Sequence, residues 1–361
     1  MKINYPRIFD ARKPDGFKPA VQRWSVLFPE HCQAVHVAFF AVQARGESDM
    51  RESGFFEWAD AAMQGKYAPA SIDHSSFTDD AGSNNRVVTA YWIDSGSFNA
   101  WQIEQRRDGW WESGSRESGK CGFWREMLTV PVDRVETIYW EDYRANLGAI
   151  LPVEPTPYCG YFGAMRDRIP LAACDRLETD ATDALSRPSS DQRIGARRWF
   201  VHPPHNLAMI RSASFWGNCD DEQKADYDEK LRDPLARGMD FLRTNPIETG
   251  CCSLRFLQTL DLEQKPVPET HAYGYFLSLE HMEGWAEGHA SHKAIFDAAI
   301  ARYSKYGPSN QLRTWHEVYV LPSYGQHFEY INCHNRTGIL PWFKATALDR
   351  KESCAALDAV E

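Results

Sequence analysis

Apolar and polar positions alternate along this chain in short runs, and the runs come in a recognisable order twice. Val35-His-Val-Ala-Phe-Phe-Ala-Val42 reads as a strand, as does Arg86-Val-Val-Thr-Ala-Tyr-Trp92, which is followed by Phe98 and Trp101 at helical spacing. Further on, Asn206-Leu-Ala-Met-Ile210 and Ala272-Tyr-Gly-Tyr-Phe276 read as strands, and the second is followed by Met282 and Trp285 at helical spacing. Tyr91 to Trp101 and Tyr275 to Trp285 are both ten residues apart. Trp124-Arg125-Glu126 opens a strand-like run ending at Val135-Glu136-Thr-Ile-Tyr139. Trp315-His316-Glu317 opens another ending at Phe328-Glu329-Tyr330.

Each half therefore reads as strand, helix, strand, helix, strand. A period this long points to a duplicated α+β unit rather than a solenoid. The pattern predicts a pseudo-repeat over about 35–146 and 198–340 with a connecting segment over about 147–197. Two βαββαβ-like halves of this kind pair their antiparallel sheets face to face or in a distorted barrel, helices outside. Leu147 to Pro157 reads as a connection and Cys174 to Arg197 as surface loops. Leu231, Leu235, Met239 and Leu242 form a helical apolar stripe, and about Arg350 to Glu361 reads as a loose helix or tail.

Composition narrows the class of partner. The 361 residues are 43% hydrophobic and 25% charged, with a formal net charge of −10 and no dense basic stripe, so nucleic acid and anionic membrane surfaces are not expected partners. The 13 Trp, 15 Tyr and 19 Phe suit either a crowded core or a flat apolar ligand. The first residues lack the apolar centre of a signal peptide and no run is long enough for a membrane span. Nine cysteines without a Cys-x-x-Cys pair point to reduced thiols and a cytoplasmic protein, and leave no zinc-ribbon or covalent-haem signature.

Candidate chemistry gathers late in the chain. A helix over about Leu279 to Ala301 would put Trp285, His289, His292 and Phe296 on one face, so that two imidazoles share a stripe with aromatics. Either is an ordinary core histidine or a metal ligand on this pattern alone. His316 alternates with Val318 and Val320 on the apolar side of a strand, where an imidazole is suited to proton transfer or is simply a satisfied buried side chain. Arg125 stands at the matching point of the first half. Arg166-Asp167-Arg168 fits either an oxygen-orienting group or a surface ion pair, and Ser212, without a nucleophile elbow, fits hydrogen bonding.

Ordered motifs then add up to a resemblance. Gly160-Tyr-Phe-Gly-Ala-Met-Arg-Asp-Arg-Ile-Pro170, His205-Asn-Leu-Ala-Met-Ile-Arg-Ser212 and Gly238-Met-Asp-Phe-Leu-Arg243 are followed by Trp285-Ala-Glu-Gly-His-Ala-Ser-His292, Trp315-His-Glu-Val318 and Phe328-Glu-Tyr-Ile-Asn-Cys-His334. Together they resemble the haem-containing aldoxime dehydratases over roughly Ala38 to Leu340. The resemblance implies a single haem-binding domain over 1–361, with tandem ferredoxin-like halves in a dimeric α+β barrel type of fold. It also implies non-covalent protoheme (haem b), ferrous when active, an aldoxime substrate and a homodimer. Residue by residue, it places the proximal iron ligand on His292, the distal catalytic histidine on His316, the oxime-hydroxyl contacts on Arg168 and Ser212, and a supporting carboxylate on Glu136. The sequence departs from the family pattern in a longer stretch between His292 and His316, near Tyr306-Gly-Pro-Ser309. Readings of other classes are a peroxide- or chlorite-processing haem enzyme, a non-catalytic haem-binding protein, and a zinc hydrolase built on His289 and His292.

Overall fold

The structure, a computed structural model, describes residues 3, 5–186 and 197–348; the expected C-terminal tail and part of the expected Cys174–Arg197 loop lie outside them. Fourteen strands are described: β1 (Arg23–Val26), β2 (Ala34–Ala44), β3 (Ser71–Thr78), β4 (Asn84–Trp92), β5 (Gly122–Pro131), β6 (Val135–Ile138) and β7 (Val153–Thr156) in the first part of the chain. In the second come β8 (Arg198–Val201), β9 (Leu207–Phe215), β10 (Cys251–Leu260), β11 (Pro266–Phe276), β12 (Arg313–Leu321), β13 (Gln326–Ile331) and β14 (Ala345–Ala347). Twelve of them form one sheet in the order β14-β8-β13-β5-β2-β4-β3-β10-β11-β9-β12-β6, and β1 pairs with β7 separately.

Within that sheet the ferredoxin-like order occurs twice, as β5-β2-β4-β3 and as β12-β9-β11-β10, joined where Ser76 on β3 pairs with Gln258 on β10. Odd and even positions of each strand point to opposite faces. On one face Val37, Phe39, Tyr91, Trp124 and Leu128 share a core with Met209, Leu257, Tyr273, Tyr275 and Tyr319, so the sheet coils until its two halves face each other. On the opposite face Ala38, Phe40, Val88 and Trp92 pack on the helix carrying Phe98 and Trp101. Likewise Ala208, Ala272, Val318 and Val320 pack under Met239, Leu242, Leu279 and Met282. The result is the α+β barrel of tandem ferredoxin-like halves.

Two elements depart from the sequence pattern. The run from Trp124 to Tyr139 is not one strand: it breaks after Pro131, and β6 crosses to pair with β12 of the other half. Reciprocally, β13 pairs with β5. A proline cannot donate to a ladder, which suits a strand end here. The helix over 279–301 is also two helices, Leu279–Gly288 and Ala290–Tyr306, with His289 extended between them (φ −93°, ψ 134°). Gly284 and Gly288 weaken the first helix near its end, and the His289 side chain accepts from the Ser291 amide to cap the second. The stripe at 231–242 does form a helix, Arg232–Thr244, with Gly238, Met239 and Leu242 buried.

Between the facing half-sheets lie two buried carboxylates. Glu126 accepts from both terminal guanidinium nitrogens of Arg255 (2.7 and 2.9 Å) and from the hydroxyls of Tyr273, Tyr275 and Tyr330. Glu317 accepts from Tyr91, Tyr139, Tyr319 and the Leu147 amide. Tyr91 of the first half thus reaches Glu317 of the second, and Tyr275 of the second reaches Glu126 of the first. Satisfied on every side, these groups hold the two halves in one register. Among the described residues all cysteines are free, and no helix is long and apolar enough to cross a membrane.

Candidate active site

The face of β12 that carries His316, Val318 and Val320 looks toward the helix layer and away from the barrel interior, where Glu317 and Tyr319 point. Register then determines the neighbours. His316 lies opposite Ser212 on β9 and Ile138 on β6, and Val318 lies opposite Glu136, so exchange of β6 between the halves is what delivers Glu136 to this site. Without that crossing no carboxylate would stand beside the imidazole.

Arg168 completes the group from the short helix Ala164–Arg168. Its Nε donates to Glu136 Oε2 (2.7 Å), Nη1 donates to the Tyr158 carbonyl, and Nη2 lies 2.9 Å from His316 Nε2. Glu136 Oε1 lies 3.0 Å from the same Nε2. Glu136 is fully buried and Arg168 nearly so, whereas the His316 side chain is 27% exposed. Burial pushes the Glu136 carboxyl toward its neutral form, but the Arg168 and His316 charges outweigh it and hold the group below its ordinary value. Nε2 of His316 therefore sits between a permanent donor and a buried acceptor. Neutral, it accepts from Arg168; protonated, its charge is balanced by the carboxylate beside it, with which this geometry completes no hydrogen bond. The imidazole thus has a hydrogen-bond donor for its neutral state and a counter-charge for its protonated one, a setting suited to proton transfer.

The Arg166-Asp167-Arg168 segment is not a surface ion pair. Arg166 forks onto Glu283 (2.7–3.2 Å), and Asp167 accepts from the amides of Arg12 and Lys13 and from Tyr161. These contacts fix the two residues that lead into Arg168. Glu136 and Arg168 also line a cavity of about 410 Å³ together with Tyr5 and Arg7. Ser212 is half-buried, and its hydroxyl is committed to no partner among the described residues.

His292 sits apart from these four, on the helix Ala290–Tyr306, in the layer that covers their face. Trp285 and Ile295, its near neighbours in the chain, pack into the same core as Val318 and Ile210. Burial lowers its pKa, opposed by the Ala286 carbonyl, and Nδ1 is buried without a completed hydrogen bond. A neutral imidazole with an unpaired buried nitrogen fits a metal ligand. His289 does not: its Nδ1 caps the helix and its ring stacks on Phe241 at 4.0 Å. Among the described residues no cluster of three or more His, Cys, Asp or Glu side chains could hold a metal ion. The sheet face under this layer carries Ser212 and the apolar Ile210, Val318 and Val320, with Trp285 on the helical side, an apolar setting with a free hydroxyl that fits a macrocycle held by His292.

Sequence reasoning missed the Tyr158 carbonyl that anchors Arg168, since a backbone acceptor carries no residue-type signal. It also left open which of the two neighbouring histidines is available, which follows from the helix break at His289.

The chain matches the model of the family described as haem-containing dehydratase over residues 38–339. It is 30% identical over 339 residues to the phenylacetaldoxime dehydratase of Bacillus sp. (strain OxB-1), covering 93% of this chain and 95% of that one. It is 32% identical over 344 residues to the aliphatic aldoxime dehydratase of Rhodococcus globerulus, covering 94% and 95%. Its fold superposes on a crystal structure of an aldoxime dehydratase in complex with butyraldoxime with a TM-score of 0.86, at 29% identity over 95% of each chain. With the family model matched over residues 38–339 and relatives 30–32% identical over nearly the whole chain, the chain belongs to the haem-containing dehydratase family.

Proposed function

We propose that this protein dehydrates an aldoxime to a nitrile, with non-covalent haem b held by His292 and with His316 as the acid and base. The observation that carries this reading is the position of His316 Nε2, within 3.0 Å of both Arg168 and Glu136 on a face overlain by the His292 helix. When bound and ferrous, the haem would supply a Lewis-acidic iron for the oxime nitrogen that also shares electron density into the N–O bond.

The chain's own residues would do the rest. Arg168 and Ser212 hold the oxime hydroxyl by hydrogen bonds, Ser212 through the hydroxyl that has no other partner. Protonated His316, its charge balanced by Glu136, gives a proton to that hydroxyl, the N–O bond breaks and water leaves. The imidazole, now neutral and backed by Arg168, takes the proton from the aldoxime carbon, and the C–H electron pair becomes part of the C≡N bond. The proton count returns to its start and no net redox change occurs. Glu136 acts through His316 and Arg168 and is a positioning residue.

The same reading takes 1–361 as one haem-binding domain built on a duplicated unit of about 35–146 and 198–340. It also makes the protein a cytoplasmic homodimer. Two variants test the site. His292→Ala is expected to lose stable haem binding, whereas His316→Ala is expected to keep haem and lose about 10²–10⁴-fold in nitrile production. Normal haem loading in the first, or near-native turnover in the second, would remove the corresponding residue from its role.

A further inference from the structure

The usual device that fixes a ligand imidazole is a hydrogen bond to its second nitrogen. His292 completes no hydrogen bond through its ring among the described residues, although the Ala286 carbonyl stands beside it. Packing therefore also orients the ring, and the ring it meets is the indole of Trp285, edge to face at 4.8 Å between centroids and 67° between planes.

That indole is itself tethered. Trp285 Nε1 donates to Ser291 Oγ at 3.1 Å. Ser291 Oγ lies 2.8 Å from His289 Nδ1, which also accepts from the Ser291 amide at 3.1 Å. Because Nδ1 is already an acceptor, the Ser291 hydroxyl donates to it and the ring proton of His289 resides on Nε2, toward Glu248 Oε1 at 3.7 Å. The hydrogen bonds thus run in one direction, from indole N–H to hydroxyl to imidazole, and the stack on Phe241 anchors the far end.

We propose that Ser291 is a positioning residue for His292, fixing the plane of that imidazole through the indole of Trp285. The proposal rests on the reading of His292 as the iron ligand. It also accounts for the break between the two helices: only with His289 extended and capping can its Nδ1 face the Ser291 hydroxyl.

Ser291→Ala isolates the hydroxyl, because the amide that His289 caps remains and alanine is the best helix former. In haem-loaded, dithionite-reduced protein we would measure the iron–histidine stretching band by resonance Raman and the rate of haem transfer to excess apomyoglobin. Ser291→Ala is expected to shift or broaden the band and to speed haem loss roughly two- to tenfold, as loss of one neutral hydrogen bond implies. The melting temperature of the haem-free protein should be nearly unchanged, and Ser291→Thr should restore the band. If Ser291→Ala yields no haem-loaded protein, Trp285→Phe, which keeps an aromatic ring but removes the indole donor, must shift or broaden the band. An unmoved band and release rate in the variant measured overturn the proposal. A band that survives His292→Ala overturns the ligand assignment itself; a band lost there but unmoved by Ser291→Ala overturns the positioning role alone.

Discussion

At the scale of single residues the site is organised by one buried carboxylate. Glu136 receives Arg168 on one oxygen and faces His316 with the other, so a single charge restrains both the guanidinium and the imidazole proposed to act on the oxime. Its pKa is depressed below the ordinary 4.5. The sign of the linkage follows: its stabilising contribution is fully present above the ordinary value and is lost as pH falls through the depressed one. The melting temperature of the haem-free protein should therefore fall below about pH 4.5, and Glu136→Gln should make that acid limb shallower while lowering stability at neutral pH through the unpaired Arg168. Equal acid slopes in the two proteins would contradict the assignment. His316 could be singled out from its alternation with valines, but the same alternation suits a satisfied core histidine. Arg168 and Ser212 rested on the resemblance, because nothing local separates an arginine in a polar tripeptide from a surface ion pair. The contacts that decide, with Tyr158 and with a glutamate 32 residues away, are non-local.

At the scale of elements, the strands and the stripe at 231–242 were legible because periodicity reports which face is buried. Partner choice was not. Nothing in Val135–Ile138 says that it leaves its own half to pair with β12, since a strand's alternation is the same whichever neighbour it takes. The helix break at His289 was missed for a related reason: Trp285, His289 and His292 keep helical spacing across a kink. The exchanged strands also carry the buried locks, Tyr139 after β6 on Glu317 and Tyr330 on β13 on Glu126. Gly338 lies against the second lock with φ +56°, where a β-carbon would come within 2.6 Å of Arg255 Nη2 and 2.8 Å of Glu126 Oε1. Gly338→Ala combines a strained backbone with intrusion on a buried ion pair, and is expected to cost about 2–5 kcal/mol in chemical denaturation. A loss below 0.5 kcal/mol, the range typical of plain surface positions, would mean that the cluster does not hold the halves together.

At the scale of the whole molecule the two halves share a strand order but not a site. Where Ser212 faces His316 across β9 and β12, Phe40 faces Arg125 across β2 and β5. Arg125 is bound to Glu329 and lies over Trp111, and Phe40 packs with Trp58, Trp101 and Trp111 into the space under the helices. The first half is filled with aromatics, and only the second half carries His316 and the His292 helix, so the proposed reading has one haem position per chain. The central claim is that this position binds haem and turns an aldoxime into a nitrile. The most direct test is an absorption spectrum of the haem-supplemented protein, reduced without oxygen, before and after addition of a simple aldoxime, with nitrile quantified alongside. One haem per chain, a Soret band that shifts on addition and its return as nitrile accumulates are the predicted result; a Soret band indifferent to aldoximes, or none at all, would contradict it.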